Sequence, residues 1–214
     1  MTVRAFILGF NHNSTKEGNN RIHFQIGKTT SGTDIAFCDS NYNYSGTSQG
    51  FHMNLSNTTS GGWNGSYGRK TLLGNDNTPT NPLANSFMAA LPSDLRDVMK
   101  SVTKYTDNTG DRSNTANAVT ATTDYLFFLS EFEVQGAKTY ANKYEQNYQA
   151  QYDYYKAGNS KVKYRHDSTR TDVWHWCRSV DAESEHEFCC VNNEGKAYNN
   201  RATNSGGLAP GFCV

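Results

Sequence analysis

The chain has 214 residues, enough for one substantial core, and one large or two small domains both fit that length. Lys and Arg number 20 and Asp and Glu number 20, so no net field steers the protein onto nucleic acid or an anionic membrane. Mean hydropathy is -0.76, very polar for a globular chain, yet 13% aromatic residues exclude the aromatic-poor composition of disorder. The first predicted element is a strand at "RAFILGF". Around it, "MTVRAFILGFNHNS" lacks a long apolar h-region and a small-residue cleavage site, so no signal peptide is visible. Display outside a cell then needs another route, or the sequence is a domain of a longer chain.

"RIHFQIGK" alternates Ile22, Phe24 and Ile26 against Arg21, His23 and Gln25, the period of a half-buried strand with the apolar set inward. "DIAFCDS" is a further strand candidate and "GTSQGFHMNLSN" a weaker one. "SGGWNGSYGRKTLL" reads as a turn feeding a short helix; it lacks the Gly-Lys-Ser/Thr ending of a phosphate loop. Between positions 81 and 106, Leu83, Phe87, Leu91, Leu95, Val98, Met99 and Val102 fall near helical spacing, with a break and restart at Pro92. Residues 107–123 read as a polar loop, and "DYLFFL" as a buried strand. Ser130 and Glu133 fit a capping box. From Tyr140 to Tyr155 tyrosines recur at steps of four and three, which fits a helix or a long excursion with its hydroxyls in water. Residues 158–172 form a basic connector. No stretch approaches the roughly 18 consecutive apolar residues of a transmembrane helix.

The segment 174–214 carries most of the chemistry-bearing residues. It holds Cys177, Cys189, Cys190 and Cys213 with His175 and His186. Zinc sites repeat close ligand pairs, and here His186-x-x-Cys189 has no second pair to answer it. A nucleophilic cysteine needs a base and a positive field, whereas these cysteines lie in strand-like runs, which favours buried free thiols. No catalytic residue, metal site or cofactor is expected. What remains is binding. Trp174, Trp176, Phe188, Val191, Gly195, Leu208, Pro210 and Phe212 suit a small antiparallel sheet, with "NNEG" at 192–195 as its tight turn. Between these anchors lie His175, Asp181, Glu183, Glu185, His186, Lys196, Tyr198, Asn199, Asn200, Thr203 and Asn204, a polar and diverse set read as a ligand-binding display.

The pattern W-x-W-C-R-S…F-C-x-V-N-x-x-G…G-L-A-P-G-F-C-V resembles the C-terminal segment of C-type-lectin-like domains of gut bacteria and their phages. "AFILGFNHN", "IHFQIGK", "GGWNGSYGR", "LPSDLRDVMK" and "FFLSEFEV" extend the resemblance over nearly the whole chain. That group includes variable proteins of diversity-generating retroelements, in which adenine-directed mutagenesis rewrites Asn codons while the backbone stays fixed. The resemblance implies one α+β domain over residues 1–214, with a C-type lectin-like fold of short antiparallel sheets and two or more helices. It implies that Trp174, Arg178, Ser179, Phe188, Gly195, Gly207, Ala209, Pro210 and Phe212 are scaffold. Asp181, His186, Tyr198, Asn199, Asn200, Thr203 and Asn204 are types that adenine changes in an Asn codon give; Glu183, Glu185 and Lys196 are not. Pro210 lacks the carboxylate and Asn neighbours of a calcium-dependent sugar site. The implied function is receptor binding at a phage tail or a cell surface, through a diversifiable surface at about 174–214. The implied partner is a protein or glycan on a bacterial surface, without nucleic acid or membrane insertion; homo-oligomerisation stays open. The alternative is a metal- or thiol-dependent enzyme using the His/Cys-rich segment.

Overall fold

The structure is a computed structural model that describes residues 2–214. Strand β1 (Arg4–Phe10) turns through the single-turn helix α1 (Ser14–Glu17) into β2 (Ile22–Lys28), and the two strands pair antiparallel. The short strand β3 (Ile35–Ala36) follows. Loops then connect α2 (Gly62–Gly65), a π-helical turn (Gly68–Leu72), α3 (Phe87–Ala90) and α4 (Ser93–Val98). A hairpin of β4 (Val102–Asp107) and β5 (Val119–Asp124) precedes β6 (Leu126–Phe127), α5 (Glu131–Gln135) and α6 (Asp153–Lys156). The remaining strands are β7 (Lys163–Arg165), β8 (Ser168–Val173), β9 (His175–Val180), β10 (Glu187–Val191), β11 (Ala197–Arg201) and β12 (Gly211–Cys213).

These strands form sheets in the orders β1-β2-β12-β6, β11-β10-β9, β3-β7-β8 and β4-β5. All pairings are antiparallel except β3 with β7. The fold is therefore α+β, with short sheets and single-turn helices. β12 lies between β2 and β6, with Phe212 opposite Phe24 and their rings stacked at 5.2 Å. A side chain at Gly211 would collide with the Phe127 ring, so glycine is required where β12 slots in. One apolar cluster, including Leu8, Trp63, Met88, Phe127, Trp176, Phe188 and Phe212, joins the first strand to the last.

The α5 cap forms as expected. Ser130 Oγ accepts the Glu133 N–H at 3.0 Å, and Glu133 Oε2 accepts the Ser130 N–H at 2.9 Å. Ser130→Ala should cost about 1–2 kcal/mol, measured as a lower urea midpoint with an unchanged slope.

Several sequence expectations are corrected. In β2 the expected alternation holds only at Ile26, which is buried: His23 and Gln25 are buried too, while Ile22 and Phe24 are only half-buried. The reason is hydrogen bonding. Gln25 donates to the Ala209 carbonyl at 2.9 Å and accepts from the Tyr155 hydroxyl at 2.7 Å, and His23 meets the Tyr152 hydroxyl at 3.0 Å. The apolar run from Leu83 holds two short helices that break and restart at Pro92 as expected, but Val102 opens a strand instead of continuing the second. Residues 119–123 belong to β5 rather than to a loop. "GTSQGFHMNLSN" forms no strand. The basic connector contains the β7–β8 hairpin. The tyrosine region is an excursion with a 3₁₀ turn at Glu145–Asn147 and α6, and the Tyr152 and Tyr155 hydroxyls are inside rather than wet.

Candidate recognition surface

The sheet β11-β10-β9 carries the segment singled out above. Its turn closes as the sequence requires. The Asn192 carbonyl accepts the Gly195 N–H at 2.9 Å, and Gly195 adopts φ 80°. Asn192 Oδ1 accepts the N–H groups of Glu194 and Lys196, locking the loop from its own side chain. Behind the sheet, the Trp174 and Trp176 rings meet edge to face at 4.8 Å, and Trp176 meets Phe188 at 6.5 Å. The indoles are pinned by hydrogen bonds to Asn43 Oδ1 (3.0 Å) and the Phe51 carbonyl (2.8 Å). The hairpin therefore rides on a stiff apolar base.

A buried ionic cluster fixes β9 to the rest of the molecule. The Arg178 guanidinium donates to both oxygens of Glu133 (2.5 and 2.9 Å), to Thr106 Oγ1 and to the Phe128 carbonyl. The Lys104 ammonium completes its three donors on Glu133 (2.9 Å), Glu17 (2.7 Å) and the Tyr152 hydroxyl (2.8 Å). Burial alone would raise the Glu133 carboxyl, but Arg178 and Lys104 hold it well below the usual carboxylate range. Burial pushes Glu17 up to about 7 against the pull of Lys104. Burial, reinforced by Lys104, lowers His12 to about 4 and His23 to about 2, so both rings are neutral. His12, Glu17 and Glu133 bring one ligand-type atom each within 4.8 Å of one another, and the cation that answers those carboxylates is the Lys104 ammonium.

The display residues divide by burial. Glu183, Glu185, His186, Lys196 and Tyr198 are exposed, and Asn199 and Asn200 are half-buried. His175, Asp181, Thr203 and Asn204 are buried, which corrects the expectation that they face outward. Each has a physical reason. His175 lies inside β9, where every residue is buried. Asp181 caps its own turn by accepting the Glu183 N–H at 2.8 Å and takes a hydrogen bond from Asn199 at 2.5 Å. Asn204 bonds Asn200 and accepts the Gly46 N–H at 2.6 Å. Thr203 sits in the tight bend after β11, where its carbonyl accepts the Ser48 N–H.

Among the exposed members, Tyr198 is half exposed at 50% and edge-on to Tyr140 at 6.5 Å. Tyr140 was not predicted for this surface. It arrives from the distant 137–158 excursion, and only three-dimensional pairing places it here. A cleft of about 290 Å³ is lined by Glu185 and His186 together with Thr58, Ser60, Thr109 and Asp111. Its floor is tied down by Thr59, whose hydroxyl donates to the Gly110 carbonyl at 2.8 Å. His186 Nδ1 lies 2.7 Å from the Asn57 carbonyl, so this nitrogen carries a proton and donates it there. Asp111, Thr109 and Thr58 escaped the sequence reading because three separate segments build this cleft.

Residues 39–214 match the family described as Domain of unknown function (DUF6273). The chain belongs to the DUF6273 family. No curated protein and no solved structure matches the chain. In this DUF6273 member the matched stretch contains the whole β11-β10-β9 sheet, whereas β1 and β2 lie before it.

The thiols of this DUF6273 chain are interior. All five cysteines are free and buried. Burial pushes Cys38 and Cys213 up to about 12, and Cys177, Cys189 and Cys190 also sit above the ordinary thiol range. A thiolate nucleophile in the segment 174–214 is therefore strongly disfavoured. Cys189 shares its surroundings with Glu131, whose carboxylate accepts the N–H groups of Thr139, Tyr140 and Ala141 and holds the start of the excursion against β10.

Proposed function

We propose that this DUF6273 chain is a recognition module that binds a protein or glycan receptor on a bacterial surface, from a phage tail or a displayed position. The single observation that carries this reading is the division of labour in β10 and β11. Cys189, Cys190 and Val191 are buried on the core, while Tyr198, Lys196 and the 183–186 turn present diverse side chains from a backbone held by hydrogen bonds. A side chain set of this kind changes without moving the backbone, which is what a diversifiable surface requires. Tyr198 offers a rigid aromatic anchor and the flanking polar groups supply specificity. The short antiparallel sheets and loop-rich connections support the C-type lectin-like reading of the fold. No helix among the described residues is long and apolar enough to cross a membrane.

The test needs residues that serve the surface alone. Asn199 and Asn200 hydrogen-bond Asp181 and Asn204, so alanine there also loosens the scaffold. Tyr198→Ala is the cleaner change. Labelled protein is titrated onto a panel of gut-bacterial cells. The expected result is at least about a thirtyfold loss of binding, the size of an anchor residue, with an unchanged urea midpoint. Full binding by the variant would overturn the reading.

A further inference from the structure

One apolar pocket lies away from the recognition surface and has no part in the reading above. It measures about 530 Å³, within the range of small-molecule sites. Its walls come from β1, β2, the segment 37–51, α3, α4 and the β7–β8 turn. The half-buried apolar side chains Val3, Phe37, Phe51, Phe87, Leu91 and Leu95 converge on it, and buried Ile26 also lines it. Scattered exposed hydrophobics need no explanation, but six meeting at one concave opening do. Phe37 and Phe87 brace each other edge to face at 5.1 Å, so the wall is set before anything enters.

The polar content of this pocket is narrow. Cys38 is a protonated thiol directed to the Ala36 carbonyl, and behaves as an apolar wall. His166 is the lining residue with hydrogen-bonding capacity to spare. The Cys38 N–H donates to His166 Nδ1 at 3.2 Å. That bond uses the Nδ1 lone pair, so the ring's proton resides on Nε2. Nε2–H is then the donor His166 has left to offer. An apolar pocket with one fixed donor selects an apolar molecule that carries one acceptor.

We propose that this pocket binds a small neutral apolar molecule bearing a carbonyl, with the aromatic and aliphatic walls taking its body and His166 Nε2–H taking its oxygen. Charged or strongly polar compounds are rejected, because the walls offer nothing to replace their water. The purified chain is titrated by ¹⁹F NMR with 4-fluoroacetophenone and with 1-ethyl-4-fluorobenzene, which has the same shape and no acceptor. Both should shift, with the ketone bound about tenfold more tightly, the worth of one hydrogen bond. Ala90→Trp places an indole at an exposed position on the rim and should abolish binding of both. His166→Phe should remove the ketone's advantage and leave the ethyl compound unchanged. Binding that survives Ala90→Trp, equal affinity for the two probes in the unmodified chain, or no binding of either would overturn the proposal. Ala90 is exposed, so its variant reads out even if His166→Phe perturbs the fold.

Discussion

Replacing Glu133 by alanine should cost about 3–5 kcal/mol of stability, the penalty of stranding buried charge. A domain of this kind holds only about 5–15 kcal/mol in total. The carboxylate is fully buried and takes four hydrogen bonds from Arg178, Lys104 and the Ser130 N–H. Without it, the Arg178 guanidinium faces only neutral oxygens, and Lys104 depends on Glu17 and Tyr152. Neither cation can reach water, since Arg178 and Lys104 are themselves fully buried. The measurement is urea unfolding followed by tryptophan fluorescence. Glu133→Gln separates charge from shape. It retains the volume and some hydrogen bonds but removes the negative charge, and should lose nearly as much as the alanine variant. If Gln restores full stability, the cluster acts by packing and not by electrostatics.

Replacing Lys163 by methionine should act in the opposite direction and stabilise the protein by up to about 3 kcal/mol at neutral pH. Lys163 is fully buried on β7, and its ammonium has no hydrogen-bond partner among the described residues. Its nearest charge compensation, Asp34, is already engaged by Lys28 at 3.0 Å. Phe6 lies under the nitrogen at 5.4 Å. Burial lowers the lysine from 10.5 to about 8, with Asp34 opposing and Lys28 adding to the effect. The folded state thus holds the proton less tightly than the unfolded chain. Stability of the natural sequence should rise as pH rises from about 8 to about 10.5, the interval in which only the unfolded chain stays protonated. Methionine has no such dependence, so its advantage should be complete below about pH 8 and vanish above about 10.5. Paired unfolding curves at pH 7 and pH 10.5 check this. A constant difference at both values would mean that packing, not the buried ammonium, sets the effect.

The sequence reading succeeded where local chemistry decides the outcome. The Ser130 cap and the "NNEG" turn depend on neighbours close in the chain; the first strand and the buried free cysteines were also read as they stand. It failed where distant polar partners override the binary pattern. His23 and Gln25 point inward because Tyr152, Tyr155 and the Ala209 carbonyl wait there, 129, 130 and 184 residues away. Lys104 is invisible as a core residue until Glu17, Glu133 and Tyr152 converge on it. The display set was legible in part. Its place between apolar anchors put Tyr198 in the display set, but the same reasoning could not show that Asp181 and Asn204 spend their side chains on local turns. Tyr140 and the Thr58–Asp111 cleft wall join the surface only through tertiary contacts.

The position of β12 has a consequence for the order of assembly. Residues 211–213 form an inner strand, flanked by β2 on one side and β6 on the other. Until they arrive, β2 and β6 each present an unpaired edge, and the Phe24 ring lacks its stacking partner. Because almost the whole chain separates β2 from β12, closing this sheet carries a large loop-entropy cost and is slow by topology. During synthesis the first hairpin must therefore wait, with its edge open, for nearly two hundred residues to emerge. That open edge is a template for mispairing between copies of the chain.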